Sequence, residues 1–137
     1  MKTKFRIKQD AEYVKPHVQV KKFLFWQDAV ELEIRSYENQ HQLYLCSEPK
    51  YFDSIDEAKT WAEKLIKMQE TKEKYRGQRI RCFDGFWFSA SDLRHRIHYV
   101  AGSGKYVGRT EAFENKEELL KKIDSDLDFD KPRIINL

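Results

Sequence analysis

The stretch FWQDAVELEIR at residues 25–35 decides the fold, because a related stretch, FWFSASDLRHR, recurs at residues 86–96. Both begin with Phe-Trp and carry Ala, Leu and Arg at matching offsets. A shift of 61 residues that superposes them gives seven identities in the 49 aligned positions from 18 to 66, or 14%. The number is small, and two similar modules that share common turn and cap chemistry would also produce it.

The same shift superposes two helix starts without a gap. Glu57 follows Ser54 by three residues, and Glu118 follows Asn115 by three. This spacing is the capping box that opens a helix, and apolar residues at helical spacing follow each cap. One offset therefore relates strand features and helix features together, as a duplicated unit requires.

Strand patterns precede both caps. Residues 4–8 (KFRIK) and 29–35 (AVELEIR) alternate apolar with charged side chains, which is typical of half-buried strands. Two further strand candidates of the first half are HVQVKKFLFW (17–26) and HQLYLC (41–46). Those of the second half are RIRCFDGFWFSA (79–90), with Asp84-Gly85 as a tight turn, RHRIHYVAG (94–102) and KYVGRTEAF (105–113).

These patterns predict an α+β fold built from two tandem strand-strand-strand-helix units, with antiparallel strands covered by two helices. The units are residues 1–71 and residues 72–137, the second with an acidic tail. One integrated domain is the alternative. The charged residues 71–76 are expected to continue the first helix as far as Gly77, a natural helix terminator.

At KFRIKQDAEY (4–13), VQVKKFLFW (18–26) and FDSIDEAKTWAEKLI (52–66), the first half resembles small uncharacterised proteins of bacteriophages and prophages. Such proteins carry a lysine-rich first strand, an aromatic-rich hairpin and a short amphipathic helix. The resemblance implies an accessory role on a host factor or a defence system, and it brings no catalytic residues with it.

Charge is unevenly distributed along the chain. Residues 1–71 carry 12 basic and 12 acidic groups, residues 72–109 carry 9 and 3, and residues 110–137 carry 5 and 8, so the net charges are 0, +6 and −3. The positive charge of the middle segment predicts a contact surface in the second half.

Arginines alternate along two strands of the middle segment, so if these strands pair, four arginines form one patch, with aromatic rings interleaved among them. Guanidinium groups bind phosphates and carboxylates, and rings supply stacking or anchoring, so the surface suits a protein partner or single-stranded or structured nucleic acid. Ion pairing of these arginines with the acidic C-terminal segment is the alternative. The candidate binding residues are Arg79, Arg81, Arg94, Arg96, His98, Trp87, Phe88, Tyr106, Lys105 and Arg109.

Catalytic and metal-binding motifs are not recognisable in the sequence. His95 and His98 point to opposite faces of a strand, so they do not form a metal site, although a hydrolase centred on them is a third hypothesis. We therefore expect no enzymatic activity and no cofactor. No apolar run is long enough to span a bilayer, so we expect a cytoplasmic protein that binds a host or defence protein and has no membrane partner, and free strand edges would allow a homodimer.

Overall fold

The computed structural model describes residues 3–93, 98–99, 105–129 and 134–137, with the backbone alone at 98–99 and 105–106. The fold is α+β. The first half contains β1 (Phe5–Lys8), β2 (His17–Lys22), β3 (Phe25–Asp28), β4 (Val30–Tyr37), β5 (Gln40–Pro49) and α1 (Ile55–Glu70). The second contains β6 (Glu73–Tyr75), β7 (Gln78–Phe83), β8 (Phe86–Ser89), a 3-10 turn (Ala90–Leu93), β9 (His98–Tyr99), β10 (Lys105–Ala112) and α2 (Lys116–Asp128).

The strands of the described residues form three antiparallel sheets. Each half contributes one three-stranded sheet, ordered β1-β2-β3 and β6-β7-β8, and both halves share a central sheet ordered β4-β5-β10-β9. The last strand before each helix therefore lies next to its counterpart at the middle of the shared sheet. There Leu45, one residue before Cys46, pairs with Gly108, one residue after Val107. Cys46 and Val107, at the centre of this antiparallel pairing, are 61 residues apart. The offset that relates the two halves therefore also relates β5 to β10 by a local pseudo-two-fold axis.

The hairpins of the two three-stranded sheets share their register. Gln19 pairs with Asp28 in the first, and Ile80 pairs with Ser89 in the second, each 61 residues further along. The other pairings differ between the halves, as in the β9–β10 pairing of Tyr99 with Lys105. The repeat is therefore kept in topology and in hairpin register rather than in every strand pairing.

Both helices begin where the capping boxes predict. The Ser54 hydroxyl accepts a hydrogen bond from the Glu57 amide at 3.2 Å, and the Asn115 side-chain oxygen accepts one from the Glu118 amide at 2.9 Å. Such caps satisfy amides that the first helical turn leaves free. The side chains that the helices bury are Ala58, Trp61, Ala62 and Leu65 in α1 and Leu119 and Ile123 in α2.

The main core draws on both halves. Helix α1 packs on β1 and β2 of its own half and also on β7 of the other half. Phe83 and Phe88 consequently lie in the same cluster as Trp61 and Leu65. A smaller cluster, around Ile80, packs beneath α2.

Three sequence-based boundaries are wrong. Within the described residues, each half has five strands rather than three. The run at 17–26 is divided by a turn at Phe23-Leu24, where the chain reverses without any of the usual turn residues. The charged residues after Glu70 do not continue α1, because the chain leaves the helix at Thr71 and forms β6, which turns into β7 through Arg76 and Gly77, both at positive φ.

Candidate functional site

The β2–β3 hairpin ends in three exposed apolar side chains, which we call the apolar tip: Phe23, Leu24 and Phe25, at 98%, 84% and 71% exposure. The turn itself consists of Phe23 and Leu24, since Lys22 pairs with Phe25. Phe23 has a φ of +56°, a conformation that costs a bulky residue on the order of 1–3 kcal/mol. Neither turn chemistry nor solubility favours these residue types here, and contiguous exposed apolar surface marks interaction sites.

Positive side chains at the start of β1 and the end of β2 lie below the apolar tip, and we call them the basic collar: Lys4, Arg6, Lys21 and Lys22. The Lys21 amide donates to the Lys4 carbonyl at 2.9 Å, which brings the start of β1 beside the tip. The Arg6 guanidinium lies 4.2 Å from the centroid of the Trp26 ring, on which Lys21 also lies, at 5.9 Å. Within the described part of the chain, Lys4, Lys21 and Lys22 have no carboxylate partner, so the collar keeps its positive charge.

A polar network fixes the hairpin beneath the tip. Asp28 Oδ1 accepts from the Gln19 amide group at 2.9 Å and lies 2.8 Å from His17 Nε2, while Arg6 Nε donates to Gln19 Oε1 at 2.8 Å. The hydrogen bond from Gln19 holds the pKa of Asp28 below its usual value, helped by His17 and opposed by burial. Because His17 and Gln19 are themselves buried, these bonds tie three strands into one rigid support.

The sequence contained a signal for this network that the charge pattern obscured. His17 and Gln19 alternate with buried Val18 along β2, which places two polar side chains on one face of a strand. The positive charge of residues 72–109 indicated a site in the second half instead.

Two predicted binding residues lie together on β7. Arg79 and Arg81 line a cavity of about 440 Å³ between the two halves, alongside apolar side chains such as Val20 and Met68. Their placement on one face agrees with the alternation of the sequence. Arg81 Nη1 donates to the main-chain carbonyl of Ile80 at 2.9 Å.

The prediction that Phe88 is a surface anchor is wrong, since its side chain is 2% exposed in the main core. Phe88 pairs with Arg81 across the hairpin and shares its face, and α1 from the first half covers that face of the sheet. Trp87, on the opposite face, is half-buried and lies 5.7 Å from the Lys116 ammonium. Arg109 is exposed on β10, where it pairs with Tyr44.

The remaining predicted residues are described incompletely. Arg94 and Arg96 lie outside the described residues, and for His98, Lys105 and Tyr106 the structure describes the backbone alone. The four-arginine patch thus remains a prediction. Pairing of the middle segment with C-terminal acids does occur at Arg76, which donates to Asp124 at 2.9 Å and to Asp128 at 3.0 Å.

A serine, a histidine and a glutamate meet in a second cavity, of about 580 Å³, at the end of the β4–β5 hairpin. The Ser36 hydroxyl lies 2.5 Å from His41 Nδ1, and Glu114 Oε1 lies 3.7 Å from His41 Nε2. The second distance is too long for the hydrogen bond that orients a catalytic imidazole. Ser36 and His41 are also directly paired across the hairpin, so strand register alone brings them together.

The electrostatics of this cavity oppose nucleophilic catalysis as well. Glu38, Glu111, Glu114 and Glu118 line it, and their charges would repel a developing oxyanion. The cysteines offer no better nucleophile, because burial raises the pKa of Cys46 to about 11 and also raises the pKa of Cys82.

Comparison with known proteins finds no matching family model, curated protein or solved structure. Across the described residues, no three or more His, Cys, Asp or Glu side chains converge into a metal site. No helix in the same residues has the length and apolarity needed to cross a membrane.

Proposed function

We propose that this chain is a non-catalytic binding protein that engages a partner protein through the apolar tip and the basic collar. The observation that carries the proposal is the exposed run Phe23-Leu24-Phe25, which forms the end of a hairpin whose turn holds Phe23 at positive φ. A fold that needed only a turn here would be more stable with a residue suited to positive φ.

The chemistry of the tip defines the partner surface that would accept it. A convex apolar tip fits a concave apolar pocket, and the basic collar fits an acidic rim around that pocket. Burial of the three side chains would contribute roughly 5–9 kcal/mol before the cost of association, which is enough to anchor an interface. The polar network adds to this by holding the tip in one orientation, so less conformational entropy is lost on binding.

The resemblance of the first half to small phage proteins makes a host or defence-system protein the expected partner, bound so that its activity is modulated or inhibited. Binding of nucleic acid by the arginine and aromatic residues of the second half is a prediction with less support, because Phe88 is buried. The two hypotheses rest on different residues and can be tested separately.

The test is site-specific photocrosslinking in host lysate, with a benzophenone side chain at position 24. A matched control carries the same group at Tyr37, which is 76% exposed at the tip of a different hairpin. We expect one protein to be crosslinked from position 24 and not from position 37, and we expect nuclease treatment to leave the product unchanged. The F23D/L24G variant should lose capture of that protein by the full chain, while Tyr37→Asp should keep it.

The contradicting outcomes identify the alternatives. Equal crosslinking from both positions would mean that the tip has no specific partner. Loss of the product on nuclease treatment would favour nucleic acid. Sedimentation of the wild type with anionic vesicles, abolished by F23D/L24G, would assign the tip to a membrane surface and overturn the protein-partner proposal.

A further inference from the structure

The cavity between the two halves combines an apolar interior with positive charge. Elements from both halves line it, including β2, β4, the end of α1, β7 and β8. Its volume of about 440 Å³ lies within the range of small-molecule sites. Several of its apolar lining residues pack on the core and are still only partly buried, so the cavity is an unfilled extension of the core.

Three cations, Lys22, Arg79 and Arg81, line this cavity. Among the described residues, neither Lys22 nor the Arg79 guanidinium has a hydrogen-bond or ion-pair partner. The Arg81 guanidinium donates to main-chain carbonyls of Glu73 and Ile80, which fixes its position and leaves its charge uncompensated.

The lining contains a single acid, Asp28, and its carboxylate is engaged with Gln19 and His17. The charge facing the cavity is therefore net positive. An isolated cation beside apolar surface is costly unless it is paired, so the site favours an anion.

We propose that this cavity binds a small amphipathic carboxylate, with its apolar chain among residues such as Val20, Met68 and Phe88 and its carboxylate against Arg79 and Arg81. A guanidinium group binds a carboxylate through two parallel hydrogen bonds, and the flexible thioether of Met68 adapts to an unbranched chain. The site shares Lys22 with the basic collar, but the three side chains of the apolar tip do not line it, and it does not depend on their function.

The experiment uses decanoate as the probe and two matched compounds, 1-decanol and acetate. In titration calorimetry of the full chain we expect decanoate to bind, 1-decanol to bind at least tenfold more weakly, and acetate to show no saturable binding. The R79Q/R81Q variant should lose at least tenfold in decanoate affinity, whereas Arg109→Gln, a matched change at an exposed arginine outside the cavity, should not.

A second measurement keeps the test informative if R79Q/R81Q unfolds. A fatty acid carrying a nitroxide on its chain should broaden the Met68 methyl resonance of the wild type, and excess decanoate should restore it. Equal affinity for decanoate and 1-decanol, unchanged binding by a folded R79Q/R81Q, or an unaffected Met68 signal would overturn the proposal. The F23D/L24G variant should bind decanoate normally, so failure of the partner-binding proposal would be seen separately.

Discussion

The two equivalent hairpins, β2–β3 and β7–β8, share a register but face different surroundings. Each reverses at the same place in the repeat, with positive φ at Phe23 and at Asp84. Each carries a cross-strand polar pair at the same position, His17 with Asp28 in one and Gln78 with Ser89 in the other. Register and turn position are therefore common to both, although Gly85 has positive φ and its counterpart Leu24 does not.

Their tips differ. The second hairpin turns through Asp84-Gly85, the combination that the tight turn favours, and its Phe86 packs on the His41 ring at a centroid distance of 4.9 Å. The first turns through Phe23-Leu24 and leaves Phe25 exposed. Both hairpins contribute to the core, but the tip of the second packs against β5 and the tip of the first is exposed.

This difference could not be expected from the charge pattern, which indicates a contact surface in the second half. In the sequence, the first copy looks like scaffold and the second like a contact surface. In the structure, α1 covers β7 and buries Phe88, while the first hairpin presents apolar residues to solvent. The two hairpins therefore differ in which side chains they bury and which they expose.

The largest difference in stability between equivalent substitutions in the two hairpins is expected at Phe88. Phe88→Ala should lower the free energy of unfolding by about 3–5 kcal/mol, because it leaves a cavity in the main core. Its counterpart Gln27 is exposed, and Gln27→Ala should cost less than about 0.5 kcal/mol. Urea denaturation followed by circular dichroism measures both, and similar costs would show that the two hairpins are equally integrated.

A smaller loss of stability is expected on substitution of Gly108, because the 3-10 turn packs so closely on this residue that a Cβ would not fit. A Cβ there would lie 2.7 Å from the main-chain oxygen of Leu93 in the 3-10 turn. Gly108→Ala should therefore lower the free energy of unfolding by about 1–3 kcal/mol. A variant that melts at the wild-type temperature would mean that the 3-10 turn moves aside without cost.

The hairpins also show how far a sequence can predict this structure. The alternation of apolar and charged residues predicted β1, β4 and the location of Arg79 and Arg81 on one face of β7. Capping boxes predicted both helix starts. Both patterns are local, so the sequence alone reveals them. The Phe23-Leu24 turn carries no turn residues, so local chemistry could not reveal it. The burial of Phe88 depends on α1, a helix from the other half, and no strand pattern states which face a distant helix will cover.

An exchange of turns tests the contrast directly, with an effect on the order of 1 kcal/mol. The F23D/L24G variant should raise the free energy of unfolding by up to about 0.5 kcal/mol, because Asp tolerates the positive φ at position 23 better than Phe, while the flexibility of Gly at position 24 offsets part of the gain. The reverse variant, D84F/G85L, should lower it by at least about 1 kcal/mol, since Gly85 has a φ of +82°. Thermal melting measures both changes.

A gain in stability that accompanies a loss of partner capture in F23D/L24G would separate function from folding at the tip. No other cause explains that combination as simply, because a turn kept for stability would weaken on replacement. If F23D/L24G proves less stable than the wild type, the apolar tip contributes to the fold and the contrast between the hairpins is lost.

The smallest expected effect is a pH dependence that belongs to the first hairpin alone. The pKa of Asp28 is lowered in the folded state by Gln19 and His17, so its contribution to stability is present above the unfolded pKa of about 3.9 and is lost as the pH falls through the folded value. Asp28→Asn should therefore cost under about 1 kcal/mol at pH 6, a modest figure because the side chain is 44% exposed, and less at pH 3.

The equivalent Ser89→Ala, which removes the hydrogen bond to Gln78, should cost about 1 kcal/mol at both pH values, since neither group titrates. Melting temperatures at pH 3 and pH 6 distinguish the two pairs, and a pH-independent cost of Asp28→Asn would mean that the polar network does not depend on the charge of Asp28.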